Sequence, residues 1–276
     1  MSKILLSITI IILSQQQIKS FNQDNQECTM KNDEQNTYAI YSYDEKEYRF
    51  SEEVRNMLGG IQRLEDIHHI QSSTNQTRVM GYSDRDDPLV RRFLNAFDSS
   101  YIFLYNYLRF VRNEIKPRLF NSSSSSSSSD ERILVQRTPN IRFHRPGETT
   151  LGKRDTDPST EIVGLHSDHE LDHPSDEYNV IIPLTRMHGT NSIYFEPRPN
   201  SNIDPKDYES LNLNTSQFFV GYLNKMKHYN RHNQGESTRV SFDFRVKRGV
   251  LVDEDGRSSP TKNLKFVPGG YYMWLQ

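Results

Sequence analysis

Cysteine is almost absent from the sequence. Cys28 is the single cysteine among 276 residues, so no disulfide can form within the chain, and an oxidising compartment is neither required nor excluded. An excess of one charge sign is missing too, because 34 Lys and Arg residues are balanced by 36 Asp and Glu residues. Without a basic stripe, a nucleic-acid partner has no electrostatic support.

The length is sufficient for one sizeable core with appendages, or for two small domains at most.

The sequence also offers little that could span a membrane. The apolar run Ile4–Leu13, preceded by Lys3, is too short for a comfortable transmembrane helix. A positive start and a short apolar region are typical of a secretory signal peptide, which we assign to residues 1–20. An uncleaved signal anchor is the alternative. We therefore expect a protein of the secretory pathway or the extracellular space, with no stable membrane span.

The rest of the chain divides into segments of different composition. Residues 21–50 are polar and rich in Asn and Gln, which predicts a flexible leader. Residues 51–120 show helical spacing of apolar side chains. Eight consecutive serines, Ser122–Ser129, predict a solvated loop over residues 121–132. Residues 133–276 are assigned to a β-domain.

Capping residues mark the helices of the N-terminal part. Ser51 ahead of two glutamates predicts a helix start, and Gly59-Gly60 predicts its end. Asp87-Pro88 predicts a second and stronger start. We expect a break near Asp98-Ser99-Ser100 and the end of the helix at Pro117.

Short strands separated by turn residues follow the serine run. The candidates are ERILVQR, NIRFHR, TEIVGLH, EYNVIIPLT, NSIYFEP, SQFFVGYL, STRVSFDFRVK and GGYYMWLQ. Eight short strands without intervening helices favour an antiparallel sandwich or jelly roll. The predicted fold is therefore mainly β, with a helical N-terminal part packed on it.

The stretch HSDHELDHPSDE, residues 166–177, contains two metal-binding patterns. His169-Glu170-Leu171-Asp172-His173 is a literal H-E-x-x-H, the signature of zinc proteases, which needs a helix to place both histidines on one face. The turn-favouring Asp172 and the following Pro174 argue against such a helix. We therefore disfavour a protease and expect His169 and His173 on a solvated loop.

The second pattern in this stretch is H-x-D. His166 and Asp168 follow a predicted strand, where residues i and i+2 point to the same side. They can therefore offer an imidazole nitrogen and a carboxylate oxygen to one metal. A third ligand from elsewhere would complete a two-histidine, one-carboxylate site with open positions, an arrangement that suits Fe(II).

A further group of polar residues lies nearer the C terminus. His228 precedes a strictly alternating segment, residues 239–246. One side of that segment carries Arg239, Ser241, Asp243 and Arg245. The ordinary interpretation is an amphipathic strand with its charged side in water. The alternative is a polar inner side of a jelly roll, where an arginine fork could bind a dicarboxylate.

Together these motifs resemble those of the Fe(II)/2-oxoglutarate-dependent dioxygenases, whose core is a double-stranded β-helix, a cupin-like jelly roll. A little-characterised branch of this superfamily, with some members connected to streptomycin biosynthesis, is especially similar. The resemblance covers roughly residues 85–276. It depends on TPNIRFHRPGE, DHPSDEYNVIIPLT, GTNSIYFEP, HYNRHNQGESTRVSFDFRV and VPGGYYMW.

The resemblance implies roles for residues of this chain by position. The implied iron ligands are His166, Asp168 and His228. The implied cofactor-binding residues are Arg239, Ser241 and Asn179, of which Asn179 is the weaker candidate. His232, four residues after His228, is an alternative distal ligand.

The resemblance also implies an activity. Fe(II), 2-oxoglutarate and O₂ would serve to hydroxylate a C–H bond of an unidentified substrate, either a small molecule or a protein side chain. One alternative is a jelly-roll binding protein without catalysis. The other is the metalloprotease that would use His169, Glu170 and His173. The oligomeric state is not predicted.

Overall fold

The computed structural model describes residues 37–70, 87–120, 132–149, 161–249, 257–259 and 262–275. The predicted signal peptide, most of the leader and the serine run lie outside these ranges, so their predictions are untested. None of the helices within the described ranges combines the length and the apolar character needed to cross a bilayer.

Helices occupy the N-terminal part of the described chain. They are α1 (Glu45–Tyr48), α2 (Phe50–Met57), α3 (Pro88–Phe97), α4 (Tyr101–Phe110) and α5 (Lys116–Phe120). The Asp87 side chain accepts a hydrogen bond from the Leu89 amide, with Pro88 in the first helical position, as the sequence predicts. The predicted break is also present, because Ser100 caps the start of α4.

Two predicted helix boundaries are wrong. Helix α2 begins at Phe50 with Arg49 as its cap, and Ser51 lies inside the helix, where its hydroxyl donates to the Leu184 carbonyl. Pro117 does not end the helix. A π-helical turn, Val111–Ile115, precedes it and shifts the hydrogen-bonding register, so Pro117 lies in the first turn of α5, where a missing amide proton is tolerated.

The β-domain consists of antiparallel strands in two sheets. The strands are β1 (Tyr38–Ser42), β2 (Ile133–Gln136), β3 (Asn140–His144), β4 (Val163–His166), β5 (Tyr178–Pro183), β6 (Ile193–Phe195), β7 (Glu209–Ser210), β8 (Gln217–Gly221), β9 (His228–Asn230), β10 (Arg239–Arg248) and β11 (Tyr272–Leu275). The large sheet has the order β1-β8-β5-β10-β2-β11, with β3 also paired to β10, and the small sheet has the order β4-β9-β6-β7. All eight strands expected from the sequence are present.

The end of the predicted flexible leader is ordered instead. Residues 38–42 form the edge strand β1, which pairs with β8 in the large sheet. Tyr41 and Tyr43 lie within 5.4 Å and 6.1 Å of Phe218, measured between ring centroids. These aromatic side chains give the segment apolar surface to bury on the sheet. In the sequence they are surrounded by polar residues, so the segment does not show a strand pattern.

The two sides of the large sheet have different partners. The helices cover one side, where Phe242 lies 5.0 Å from Phe50 and Phe244 lies 4.9 Å from Tyr107. On the other side, Phe219 packs against Phe195 of the small sheet at 5.6 Å. The two sheets therefore face each other, and the helical part packs on the outside of the large one, as predicted.

Candidate metal centre

Two neighbouring side chains and one that is 60 residues further along the chain converge between the sheets. His166 ends β4 and lies opposite His228 of β9, with ring centroids 4.4 Å apart. Asp168 follows directly in a 3₁₀ turn. Its Oδ1 atom lies 3.8 Å from His166 Nε2 and 3.6 Å from His228 Nε2. One potential ligand atom from each residue falls within 4.8 Å of the others, so the three could hold one metal ion.

Both histidines have the tautomer that a metal ligand requires. His166 Nδ1 lies 2.5 Å from the Gly164 carbonyl, and His228 Nδ1 lies 3.1 Å from the Met226 carbonyl. Because a carbonyl oxygen can only accept, each Nδ1 must carry a proton, which leaves a lone pair on each Nε2. The backbone thereby fixes the ring orientation and directs both Nε2 atoms towards the carboxylate.

The Asp168 carboxylate is buried but held as an anion. Its Oδ2 atom accepts hydrogen bonds of 2.6 Å from both Arg245 Nη2 and Asn179 Nδ2. Burial alone would raise the pKa of Asp168, but attraction by Arg245, followed by His228, outweighs burial and holds that pKa far below its ordinary value. Oδ1 is the oxygen that faces the two imidazoles.

His228 is neutral at physiological pH. Burial, followed by repulsion from His166, lowers its pKa to about 4, although Asp168 acts in the opposite direction. A neutral imidazole is the form that binds a metal. The site therefore requires no proton release from His228 when a metal binds near pH 7.

This pKa shift predicts that the metal-free protein loses stability in mild acid. The unfolded chain takes up a proton at His228 near pH 6.5, whereas the folded protein does so near pH 4. Between these values the unfolded state binds more protons, so stability falls as the pH falls, by about 3 kcal/mol in total from this group. Urea unfolding in the presence of a chelator, from pH 7 to pH 4, measures the effect. A His228→Asn variant should show a shallower slope, and equal slopes would contradict the assignment.

Arg239 is buried with donors that no described residue uses. The residue is 1 % exposed, and its Nε and Nη1 atoms have no hydrogen-bond partner among the described residues. Burial, followed by repulsion from Arg142, lowers the pKa of Arg239 to about 9. Ser241, two residues along the same side of β10, is also buried. A buried guanidinium with unused donors is the arrangement expected for binding an anionic ligand.

The polar side of β10 is therefore not in water, contrary to the ordinary interpretation of its alternation. Arg245 and Asp243 form an ion pair, and Asp243 also accepts from Asn140 Nδ2 at 2.8 Å and from Arg142 Nε at 3.1 Å. Arg245 belongs to the site through Asp168, and its role is not evident from the sequence. Its place on the same side as Arg239 was the one available signal.

Asn179 contacts the ligand cluster, and its predicted role in a cofactor pocket stays a prediction. It belongs to β5 and is directly opposite Arg245 of β10. Its amide group donates to Asp168 Oδ2 at 2.6 Å. The structure thus associates Asn179 with the metal centre.

The H-E-x-x-H segment does not form a zinc site among the described residues. A 3₁₀ turn, Asp168–Leu171, ends at Asp172 in the left-handed conformation, so no helix places the two histidines on one face. Glu170 instead accepts from the Ser167 amide as part of a capping box.

His173 differs from the expected solvated loop. It is buried, its Nδ1 atom lies 2.8 Å from Glu177 Oε2, and its ring packs 4.9 Å from that of Phe266. His169 is exposed, as expected. The alternative distal ligand His232 is not part of the three-residue cluster, which contains His228.

Comparison with known proteins finds one relative of similar length. The chain is 24% identical over 237 residues to the streptomycin biosynthesis protein StrG of Streptomyces griseus, a match that covers 85% of this chain and 97% of that protein. No family model matches the sequence.

The chain is also similar, at low sequence identity, to several solved structures. CytC3 with Fe(II) and α-ketoglutarate is 15% identical with a TM-score of 0.44, over 86% of this chain and 81% of that one. The α-ketoglutarate-dependent epimerase SnoN from nogalamycin biosynthesis is 10% identical with a TM-score of 0.41, over 88% and 95%. The predicted resemblance to a branch connected with streptomycin biosynthesis agrees with the similarity to StrG.

Proposed function

We propose that the protein is a non-haem Fe(II)- and 2-oxoglutarate-dependent dioxygenase that hydroxylates a C–H bond of its substrate. The observation that carries this proposal is the convergence of His166, Asp168 and His228 on one point between the sheets. In this proposal the two facing sheets form a double-stranded β-helix. The resemblance to StrG is consistent with it.

The donor set fits Fe(II). Two imidazole nitrogens and one carboxylate oxygen form the ligand combination of non-haem iron oxygenases, and the remaining positions are free for co-substrates. The tautomers of His166 and His228 and the ionised Asp168 are already those of the metal-bound state. When bound, Fe(II) with 2-oxoglutarate would supply the activation of O₂.

The surroundings of Arg239 fit 2-oxoglutarate. Its Nε and Nη1 atoms are unused donors that an anionic ligand could accept from, and Ser241 follows on the same side of the strand. Binding a dianion would also compensate a buried positive charge that repels Arg142. We assign Arg239, assisted by Ser241, to the distal carboxylate of the co-substrate.

The protein's contribution to the reaction is to hold the metal, to orient its ligands and to shield the site from solvent. The backbone carbonyls of Gly164 and Met226 fix both imidazoles, and the buried position of Asp168 keeps its charge away from solvent. Because Asp168 fills the position that a halogenating enzyme leaves for chloride, we favour hydroxylation over halogenation. A small molecule or a protein side chain remains the proposed substrate, and the secretory location likewise remains a proposal.

A jelly-roll binding protein without catalysis is the principal alternative. Such a protein would have no need for a buried Arg239 with unused donors in addition to a cluster of three potential metal ligands. The metalloprotease alternative loses its support, because Glu170 serves as a capping residue and no helix is present.

The decisive experiment is to add Fe(II) and 2-oxoglutarate to the purified protein without oxygen. We expect a visible metal-to-ligand charge-transfer band, which arises when the keto acid chelates the iron. A Glu170→Gln variant should show the same band, because glutamine can replace glutamate in a capping box. Folded, iron-loaded protein that shows no band with saturating 2-oxoglutarate would overturn the proposal.

A further inference from the structure

Resting on the proposed function, we infer that Arg245 and Asn179 are positioning residues that restrict Asp168 to a single coordinating oxygen. We call these two residues the carboxylate clamp. Both donate to Oδ2 at 2.6 Å, whereas Oδ1 lies 3.6–3.8 Å from the two histidine Nε2 atoms. The two oxygens of one carboxylate therefore have separate tasks.

The clamp is part of the large sheet rather than of a loop. Arg245 of β10 and Asn179 of β5 are directly opposite each other in the antiparallel register. Their side chains are both buried. Asp168, by contrast, belongs to the irregular turn after β4 of the small sheet. The clamp thus ties the one ligand that lies outside a strand to the most extensively paired strands of the fold.

Arg245 is itself held in place on its other side. Its Nη1 atom is paired with Asp243, and its backbone amide donates to Gln136 Oε1 at 3.1 Å. The guanidinium therefore bridges two carboxylates, and rotation away from Asp168 would break the contact with Asp243 as well. A planar fork of this kind fixes direction as well as charge, which a lysine ammonium does not.

The clamp determines how many coordination positions of a bound metal would stay open for co-substrates. A metal held by two histidines and one carboxylate oxygen would keep positions open for a chelating keto acid and for O₂. A carboxylate that used both oxygens would take up one of those positions. By engaging Oδ2 with two donors, the clamp keeps the complete set available for the co-substrates.

Asn179→Leu tests the clamp with little expected disturbance of folding. The substitution removes one donor to Asp168, and it also removes Oδ1 of Asn179, a buried atom with no partner among the described residues. Anaerobic titration with Co(II) alone should show binding weakened by about 10- to 100-fold, the range seen when the outer partners of metal ligands are lost. The visible Co(II) spectrum, whose intensity reports the coordination number, should change as well.

Two further variants complete the experiment. Arg245→Lys keeps the charge but loses the fork, so it should show an altered Co(II) spectrum even where the affinity is largely preserved. Tyr48→Phe removes a part-buried hydrogen bond, from the tyrosine hydroxyl to Glu114 in the helical part, and should bind Co(II) as the wild type does. Circular dichroism and thermal unfolding establish that each variant is folded.

The outcomes separate this inference from the proposed function. Wild-type protein that does not bind Co(II) would overturn the proposed function itself. Wild-type binding with an unchanged affinity and spectrum in Asn179→Leu and Arg245→Lys would overturn the clamp and leave the proposed function in place. If Tyr48→Phe also weakened Co(II) binding, that result would count against the clamp. The weaker binding would then follow from a general loss of stability and not from the contacts with Asp168.

Discussion

Replacing Arg239 by methionine is expected to weaken the binding of 2-oxoglutarate by roughly 30- to 5000-fold. This range corresponds to the loss of about 2–5 kcal/mol when one partner of a buried, hydrogen-bonded charge pair is truncated. The large effect follows from burial, because Arg239 is 1 % exposed and water cannot replace the lost donors. Calorimetric titration of 2-oxoglutarate into anaerobic, Mn(II)-loaded protein measures it.

The same substitution should make the ligand-free protein more stable. Without the co-substrate, Arg239 is a buried cation with two unpartnered nitrogens, a state that we expect to be unfavourable by about 1–3 kcal/mol. Methionine fills similar space without charge. Urea unfolding of the metal-free protein should therefore show a higher free energy of unfolding for Arg239→Met. The substitution should therefore lower the affinity for 2-oxoglutarate and raise the stability of the ligand-free protein. Opposite effects of this kind are expected for a residue that serves function at a cost to stability.

Arg145 provides a matched control for this prediction. Its guanidinium is also largely buried, but it makes hydrogen bonds of 2.7 Å and 3.2 Å to Asp87. Arg145→Met should lower the free energy of unfolding by up to about 3–5 kcal/mol, because it removes the charged partner of a buried carboxylate, and should leave 2-oxoglutarate affinity unchanged. If Arg239→Met behaved in the same way, Arg239 would be a structural residue and its assignment would be wrong.

The strands were predictable because their signals are local. Alternation and turn residues identify eight of them. The proximity of His166 and Asp168 was also predictable, but Asp168 lies in the 3₁₀ turn after β4 and not on the strand itself. The strands that were missed are β1, at the end of the polar leader, and the two- and three-residue strands β7 and β9. Their pairing partners, rather than their own residues, determine their conformation.

The environment of the polar side of β10 could not be predicted in the same way. Alternation shows that Arg239 and Arg245 share a side, but whether that side faces water or a second sheet depends on the tertiary fold. The contact between Arg245 and Asp168 joins residues that are 77 positions apart. No local pattern indicates such a contact, and the resemblance to a known family supplied roles for Arg239 but none for Arg245.

Replacing His228 by alanine is expected to abolish useful metal binding. Loss of a partner outside the ligand set already weakens metal affinity by about 10- to 100-fold, so loss of a ligand should exceed about 100-fold. His166 and Asp168 would remain, with two donors between them in place of three. Anaerobic titration with Co(II) measures the affinity directly. With Fe(II) and 2-oxoglutarate present, the charge-transfer band should disappear at concentrations that saturate the wild type.

His232→Ala is the control that tests whether the loss of metal binding is specific to His228. The two histidines lie four residues apart, and the sequence alone leaves open which of them is the distal ligand. The structure places His228 Nε2 3.6 Å from Asp168 Oδ1 and includes His228 in the three-residue cluster. His232→Ala should therefore bind Co(II) with wild-type affinity. If His232→Ala lost the metal and His228→Ala kept it, the cluster would not be the metal site, because an imidazole held by the Met226 carbonyl and directed at Asp168 could not then be dispensable.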